Sequence, residues 1–242
     1  MNAFNFLQNV ELYGNKRDVI TRLERRYDFI IKPISASFKG AKVLDLGAHD
    51  GRWSYVFANL GAASVTAIEG RKHLVECFDK FPKTDFSNRV QFINDDVYHF
   101  LETAVSNGEQ YDIVCVLGLF YHVSDHLHLL KLIKKLNPKL VIVDSDFTMS
   151  TEAEVLLLKE STLSDLNAIA SYEGQNETIV GIPSFRAMEE MCDIVGFKIT
   201  WHDWETVALD RRETIGDYYL KTSGKRAPDI VRSSCLLAAC ST

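Results

Sequence analysis

Short, wholly apolar runs alternate along most of this chain with longer stretches in which apolar residues recur every three or four positions. The runs read as buried strands and the stretches as amphipathic helices. Residues 5–32 place Val19, Ile20, Leu23, Tyr27 and Ile30 on one side at helical spacing. Pro33 should end that segment, so residues 1–38 read as an N-terminal helical extension. Lys42–Leu46 predicts a buried strand, Trp53–Leu60 a helix stopped by Gly61, and Ser64–Glu69 a second strand. Arg71–Phe81 predicts a helix ended by Pro82, Val90–Ile93 a third strand, and Val97–Ser106 a helix that stops at Asn107-Gly108. Tyr111–Leu117 is uniformly apolar and predicts a strand buried on both faces. Leu127–Leu136 predicts a helix capped by Ser124 or Asp125, and Leu140–Val143 a fifth strand.

This alternation predicts one α/β domain over residues 1–242, with a mostly parallel sheet and helices on both faces. The period breaks over residues 145–183, which hold Glu152, Glu154, Glu160, Asp165, Glu173 and Glu177 and no clean strand–helix unit. Such a stretch is expected to be an insertion that carries substrate contacts. Pro183-Ser184 opens a further helix to about Val195. Phe197–Trp204 and Ser234–Ala239 predict the last two strands, with Tyr218-Tyr219-Leu220 as a short strand between them.

Composition narrows the setting. The chain has 242 residues, 46% hydrophobic and 25% charged, which suits a globular protein with a sizeable core. It shows no bilayer-length apolar run and no signal-peptide pattern, so the cytoplasm is the expected compartment and no membrane partner is expected. The net charge of −6 weighs against a nucleic-acid partner, whose phosphates favour a basic surface. Arg17, Arg22, Arg25 and Arg26, and the smaller pair Arg211 and Arg212, read as solvated faces. Five cysteines without a C-x-x-C pair point to free thiols and no structural zinc.

The chemistry concentrates where the first strand runs into a glycine turn, Val43–Gly51, and the second ends in a lone carboxylate, Ile68-Glu69-Gly70. A carboxylate at that strand end can accept both hydroxyls of a ribose; the plainer use is a surface salt bridge. Gly47 and Gly51 stand as G-x-x-x-G, so the G-x-G-x-x-G turn that cradles a dinucleotide pyrophosphate is missing. His122 and His126 have i, i+4 spacing and His128 lies nearby, but no third ligand is evident and no metal is expected. Trp53, Phe120, Trp201 and Trp204 could form an aromatic pocket or simply pack in the core.

Four stretches in order resemble the motifs of the class I S-adenosylmethionine-dependent methyltransferases: Val43–Gly51, Ile68-Glu69, Asn94-Asp95-Asp96-Val97 and Tyr111–Gly118. Leu117-Gly118-Leu119-Phe120-Tyr121-His122 is similar to a stretch of the subgroup containing tRNA wobble-uridine (carboxy)methyltransferases and related small-molecule enzymes. The resemblance covers about residues 40–204 and implies a Rossmann-like, seven-stranded sheet with S-adenosyl-L-methionine as cofactor. It implies that Glu69 holds the ribose and that Asp45 orients the glycine turn and the cofactor's amino-acid end. It gives one of Asp95 and Asp96 the adenine amino group, Asp96 by its place before an apolar residue, and leaves the other as a helix cap. Gly47, Ala48, Asp50, Gly51, Trp53 and Val97 join the implied cofactor contacts, and Leu117 and Gly118 line the sulfonium pocket.

His122 is the candidate general base and Tyr121 the residue that orients the acceptor; the alternative is that His122 only holds its loop. Where the tRNA enzymes carry Arg or Lys after Tyr-His, this chain has Val123-Ser124-Asp125, which speaks against a tRNA acceptor and a carboxylated cofactor. The expected reaction is methyl transfer to a polar small molecule, oxygen before nitrogen. A tRNA-modifying enzyme and a non-catalytic cofactor-binding subunit are the alternatives, and a homodimer is compatible with all three readings.

Overall fold

The computed structural model of the chain describes residues 2–219 and 229–239. Seven strands form one sheet: β1 (Lys42–Leu46), β2 (Ser64–Glu69), β3 (Val90–Asn94), β4 (Ile113–Leu117), β5 (Leu140–Thr148), β8 (Phe197–Trp201) and β9 (Ile230–Ala239). Their order is β3-β2-β1-β4-β5-β9-β8. The first five run parallel, and β9 runs antiparallel to both β5 and β8. The seven-stranded, mostly parallel architecture is the one the sequence predicts.

Helices cover both faces because the central strands are apolar on both. All five residues of β4 are buried, and so are the last four of β1. On one face, α1 (Arg17–Arg26) and α2 (Arg52–Asn59) pack with the N-terminal segment, where Phe4, Leu7, Ile30, Phe38 and Phe57 are buried. On the other, α4 (Val97–Ser106), α5 (His126–Lys135) and α6 (Phe185–Val195) enclose Leu101, Leu129, Ile133 and Met188. Each such side chain contributes roughly 1.5–3 kcal/mol by leaving water. The short helix α3 (Lys72–Cys77) follows β2.

Three expectations change. Pro33 does not end the helical path; it sits in the first turn of a 3₁₀ segment, Lys32–Phe38, where its missing N–H is not needed. β5 runs on to Thr148, so the insertion begins four residues later than the sequence suggested, and it holds a hairpin of its own. The hairpin pairs β6 (Val155–Ser161) with β7 (Glu177–Pro183). Gly216–Tyr218 is a 3₁₀ turn rather than part of a strand, and Leu220 lies outside the described residues, as does Cys240. The four described cysteines are free thiols. Among the described residues no helix is long and apolar enough to cross a membrane.

Candidate active site

The strand order reverses between β1 and β4, and the carboxyl ends of parallel strands at such a point leave a crevice for ligands. A cavity of about 560 Å³ opens there. Asp45, Gly47, Ala48, Trp53, Glu69, Asp96, Val97, Leu117, Gly118, Tyr121 and His122 all line it. Asp50, Gly51 and Asp95 do not.

The turn after β1 explains that division. Gly47, His49 and Gly51 all have left-handed backbone, with φ of 68°, 56° and 83°. Gly51 is the N-cap of α2, and a Cβ on it would stand 2.5 Å from Phe78. Its glycine is therefore required by the turn and by Phe78. The turn throws the Asp50 side chain inward, where it is fully buried, accepts from Tyr13 Oη and takes Arg52 Nε at 2.6 Å. Burial opposes ionisation of Asp50, but Arg52 and the Tyr13 hydroxyl hold its carboxyl below the usual carboxylate range.

The turn's N–H groups are also engaged within the fold. Ala48 N donates to Ile68 O at 2.9 Å and His49 N to Glu69 Oε2 at 3.0 Å. The main chain of this turn is thus partly closed to a ligand. Asp50 N at 2.8 Å and Arg52 Nη2 at 2.6 Å both approach His49 Nδ1, which places that ring's proton on Nε2. Nε2 is buried without a hydrogen-bond partner.

Glu69 closes β2 and is buried. Its second oxygen accepts from Arg71 N at 2.9 Å, so each oxygen carries one backbone donor and keeps acceptor capacity for a diol. Asp45, behind it, accepts from Ser54 Oγ at 2.6 Å. Burial, with the nearby Glu69 charge adding to it, raises the Asp45 carboxyl to about 7. Asp96 both lines the cavity and caps α4, accepting from Tyr98 N and His99 N. The cap therefore falls on Asp96, and Asp95 instead pairs with His99 Nδ1 at 2.8 Å.

Tyr121 and His122, in a 3₁₀ turn after β4, also line the cavity. His122 Nδ1 lies 2.6 Å from Glu160 Oε2 on β6. Arg232, from β9, stacks over Tyr121 with 5.3 Å between its guanidinium carbon and the ring centroid. Arg232 and Arg26 share Asp144 at 2.7 and 2.8 Å, and Tyr218 Oη donates to the same carboxylate at 2.6 Å. Burial pushes the Asp144 carboxyl up, but the two guanidiniums outweigh it and hold it below its ordinary range.

His126 Nε2 donates toward Phe120 O and Gly181 O at 2.9 and 3.1 Å, and His128 faces Glu102. The three histidines thus serve three separate partners. Phe120 is buried in the core, Trp201 packs on Phe147 and Phe185, and Trp204 on Phe29 and Tyr218. Of the four aromatics considered, Trp53 alone lines the cavity.

Sequence reasoning missed Arg22, Arg26, Arg232 and Glu160 as residues of this cavity's walls and supports. Arg22 and Arg26 line it and pair internally, with Asp217 and Asp144, so they are not the solvated face expected of them. Arg26 carried a readable signal: it lies three residues after Leu23 and four before Ile30, on the apolar stripe. Glu160 carried none among seven acids in an aperiodic stretch.

S-adenosylmethionine fits these residues. A buried acid closes the second strand, a second acid lies behind it, and two residues that line the cavity, His49 and Arg26, each hold a buried donor without a hydrogen-bond partner, Nε2 and Nη2. The volume is in the ordinary range for a cofactor site.

A family model described as a methyltransferase domain matches residues 15–202. The tRNA U34 carboxymethyltransferase of Campylobacter lari is 23% identical over 172 residues, which cover 69% of this chain and 53% of that protein. Its Campylobacter jejuni (strain RM1221) counterpart is 23% identical over 173 residues, at 70% and 53% coverage. The chain spans about half the length of these curated relatives. Among solved structures, the N-terminal domain of EvdMO1, crystallised with SAH and D-fucose, superposes with a TM-score of 0.61 at 16% identity, covering 93% of this chain and 84% of that one. Magnesium protoporphyrin IX methyltransferase from Synechocystis PCC 6803, with bound SAM, gives a TM-score of 0.57 at 15% identity, with 98% and 92% coverage. At these identities the two structures share the fold of this chain. With the model matching more than three quarters of its length, the chain belongs to the methyltransferase-domain family.

Proposed function

We propose that this chain transfers the methyl group of S-adenosylmethionine to an oxygen of a polar small-molecule acceptor. The observation that carries the reading is that one cavity is lined both by the buried acids Glu69 and Asp45 and by Tyr121 and His122. Glu69 accepts the ribose hydroxyls, and Asp45 with the glycine turn supports the amino-acid end. When bound, the cofactor supplies a methyl group on a positively charged sulfur, ready for in-line displacement. The chain's own work is then placement, exclusion of water and removal of one proton. His122, with its side chain only 8% exposed, takes the acceptor hydroxyl's proton, and Tyr121 orients that hydroxyl.

The names of the curated relatives favour a second reading, a tRNA acceptor. Against it, Arg22, Arg211 and Arg212 pair with Asp217, Asp28 and Glu205 within the fold. The test is transfer of radiolabelled methyl from S-adenosylmethionine to a panel of hydroxylated metabolites and, separately, to bulk tRNA. The proposal expects label in a small molecule, and His122→Ala should lower that turnover by roughly two to four decades while cofactor affinity holds. Label in tRNA, lost as salt rises, would move the acceptor to nucleic acid. Undiminished turnover in His122→Ala would remove the base.

A further inference from the structure

The His122 imidazole stands between the cavity and a carboxylate that comes from outside the parallel sheet. Glu160 belongs to β6, in the hairpin inserted after β5. Its Oε2 lies 2.6 Å from His122 Nδ1 and also accepts Ala168 N–H at 2.7 Å. Both side chains are less than a tenth exposed, 8% for His122 and 7% for Glu160. An ionised carboxylate can only accept, so Nδ1 is the donor of this hydrogen bond. The lone pair of the neutral ring then belongs to Nε2. Without such a partner, a neutral imidazole in water favours the opposite tautomer, with the proton on Nε2 and nothing there to accept one.

We propose that Glu160 is a positioning residue that fixes His122 in the Nδ1–H tautomer, so that Nε2 is the atom that receives the acceptor's proton. This rests on the reading of His122 as the proton acceptor. In the step it serves, the acceptor O–H bond breaks and its proton passes to Nε2. The freed oxygen pair forms the bond to the methyl carbon, and the carbon–sulfur pair leaves with the sulfur. The ring becomes an imidazolium whose Nδ1–H still faces the Glu160 carboxylate, which stabilises that charge in a site sheltered from water. Product release returns the proton to solvent.

The hairpin gives this arrangement a second tie. Its loop meets the cofactor wall through Arg71, two residues after Glu69. Arg71 Nη2 donates to the carbonyls of Ser164, Asn167 and Ala168 at 3.0, 2.7 and 3.1 Å. The Ile169 side chain lies over Gly70, where an added Cβ would stand 2.6 Å from its Cδ1. The segment that orients the base is therefore anchored beside the ribose acid.

Long-range ¹H–¹⁵N correlation spectra of the ¹⁵N-labelled full chain read the tautomer directly, with His122 assigned by the signal absent in His122→Gln. Wild type should show Nδ1 protonated in the neutral ring. Glu160→Ala should revert to Nε2–H, and Glu160→Gln, which keeps an acceptor oxygen, should retain Nδ1–H. Calorimetric binding of S-adenosylhomocysteine by each variant checks that the fold survives. With an acceptor in hand, Glu160→Ala should lower kcat by roughly two decades and leave KM within a few-fold, and Glu160→Gln should recover part of the loss. Nε2–H in the wild type overturns the proposal even if Glu160→Ala does not fold, and so does an unchanged tautomer in a folded Glu160→Ala. Those outcomes leave methyl transfer standing. Full turnover by His122→Ala would instead end the proton-acceptor reading and leave the tautomer result intact.

Discussion

Asp45 shows how one residue serves two demands. It sits fully inside the fold, one residue from the tip of β1, and burial raises its carboxyl to about 7. In the unfolded chain the same group titrates near its ordinary value of about 4. The folded state therefore favours the protonated form. The stability this represents is complete below pH 4 and is lost as pH rises to 7 and beyond. Asp45→Asn removes the titration and keeps an oxygen for Ser54 Oγ. Urea unfolding should find the variant equal to wild type near pH 4 and more stable at pH 8 by an amount on the order of 4 kcal/mol. A constant difference across that range would contradict the assignment. The sequence placed Asp45 and Glu69 at the ends of the first two strands, and both line the cavity. It could not disclose that Asp50, five residues on, turns inward to Tyr13, because that depends on the left-handed backbone at His49 and on a segment far away in the chain.

Among elements, the β6–β7 hairpin was the least legible and the most consequential for the site. Strands that bury one face usually alternate apolar and polar residues. β6 instead places leucines on both sides: Leu157 is 59% exposed while Leu156 and Leu158 are partly covered, so no alternation of polarity marks it. The parallel strands, buried on both faces, were legible for the opposite reason. His126 joins the hairpin to the body by bonding the carbonyls of Phe120 and Gly181. Burial depresses its imidazole to about 4. Because that value lies below the ordinary 6.5, the stability it represents is present above pH 6.5 and is lost as pH falls toward 4. Asp45 works in the opposite direction over the same window, so each contribution must be read against its own variant. His126→Gln should be destabilised at pH 7.5, and the gap to wild type should narrow as pH falls from 6.5 to 4. A gap that stays fixed would show that the ring titrates normally.

At the scale of the whole molecule, Asp144 ties the ends of the chain to the sheet. Arg26 comes from α1, Arg232 from β9 and Tyr218 from the connection before it, and all three meet on this carboxylate at the end of β5's parallel pairing with β4. Asp144→Asn would leave two buried guanidiniums short of charge and should cost roughly 3–5 kcal/mol in denaturant unfolding. A cost under 1 kcal/mol would show that Asp146 and the cavity suffice to solvate them. The same pairing explains why composition alone misplaced the arginines. A net charge of −6 describes the total and leaves open which cations are committed inward. The proposed methyl transfer depends on a cofactor cavity at the carboxyl ends of β1, β2 and β4 in which Glu69 is the ribose acid. Isothermal titration of the full chain with S-adenosylmethionine and S-adenosylhomocysteine tests it most directly. One site per chain is predicted for both ligands, with affinity for each weakened roughly ten- to hundredfold in Glu69→Ala. Absence of binding by the folded wild type, or unchanged affinity in Glu69→Ala, would contradict it.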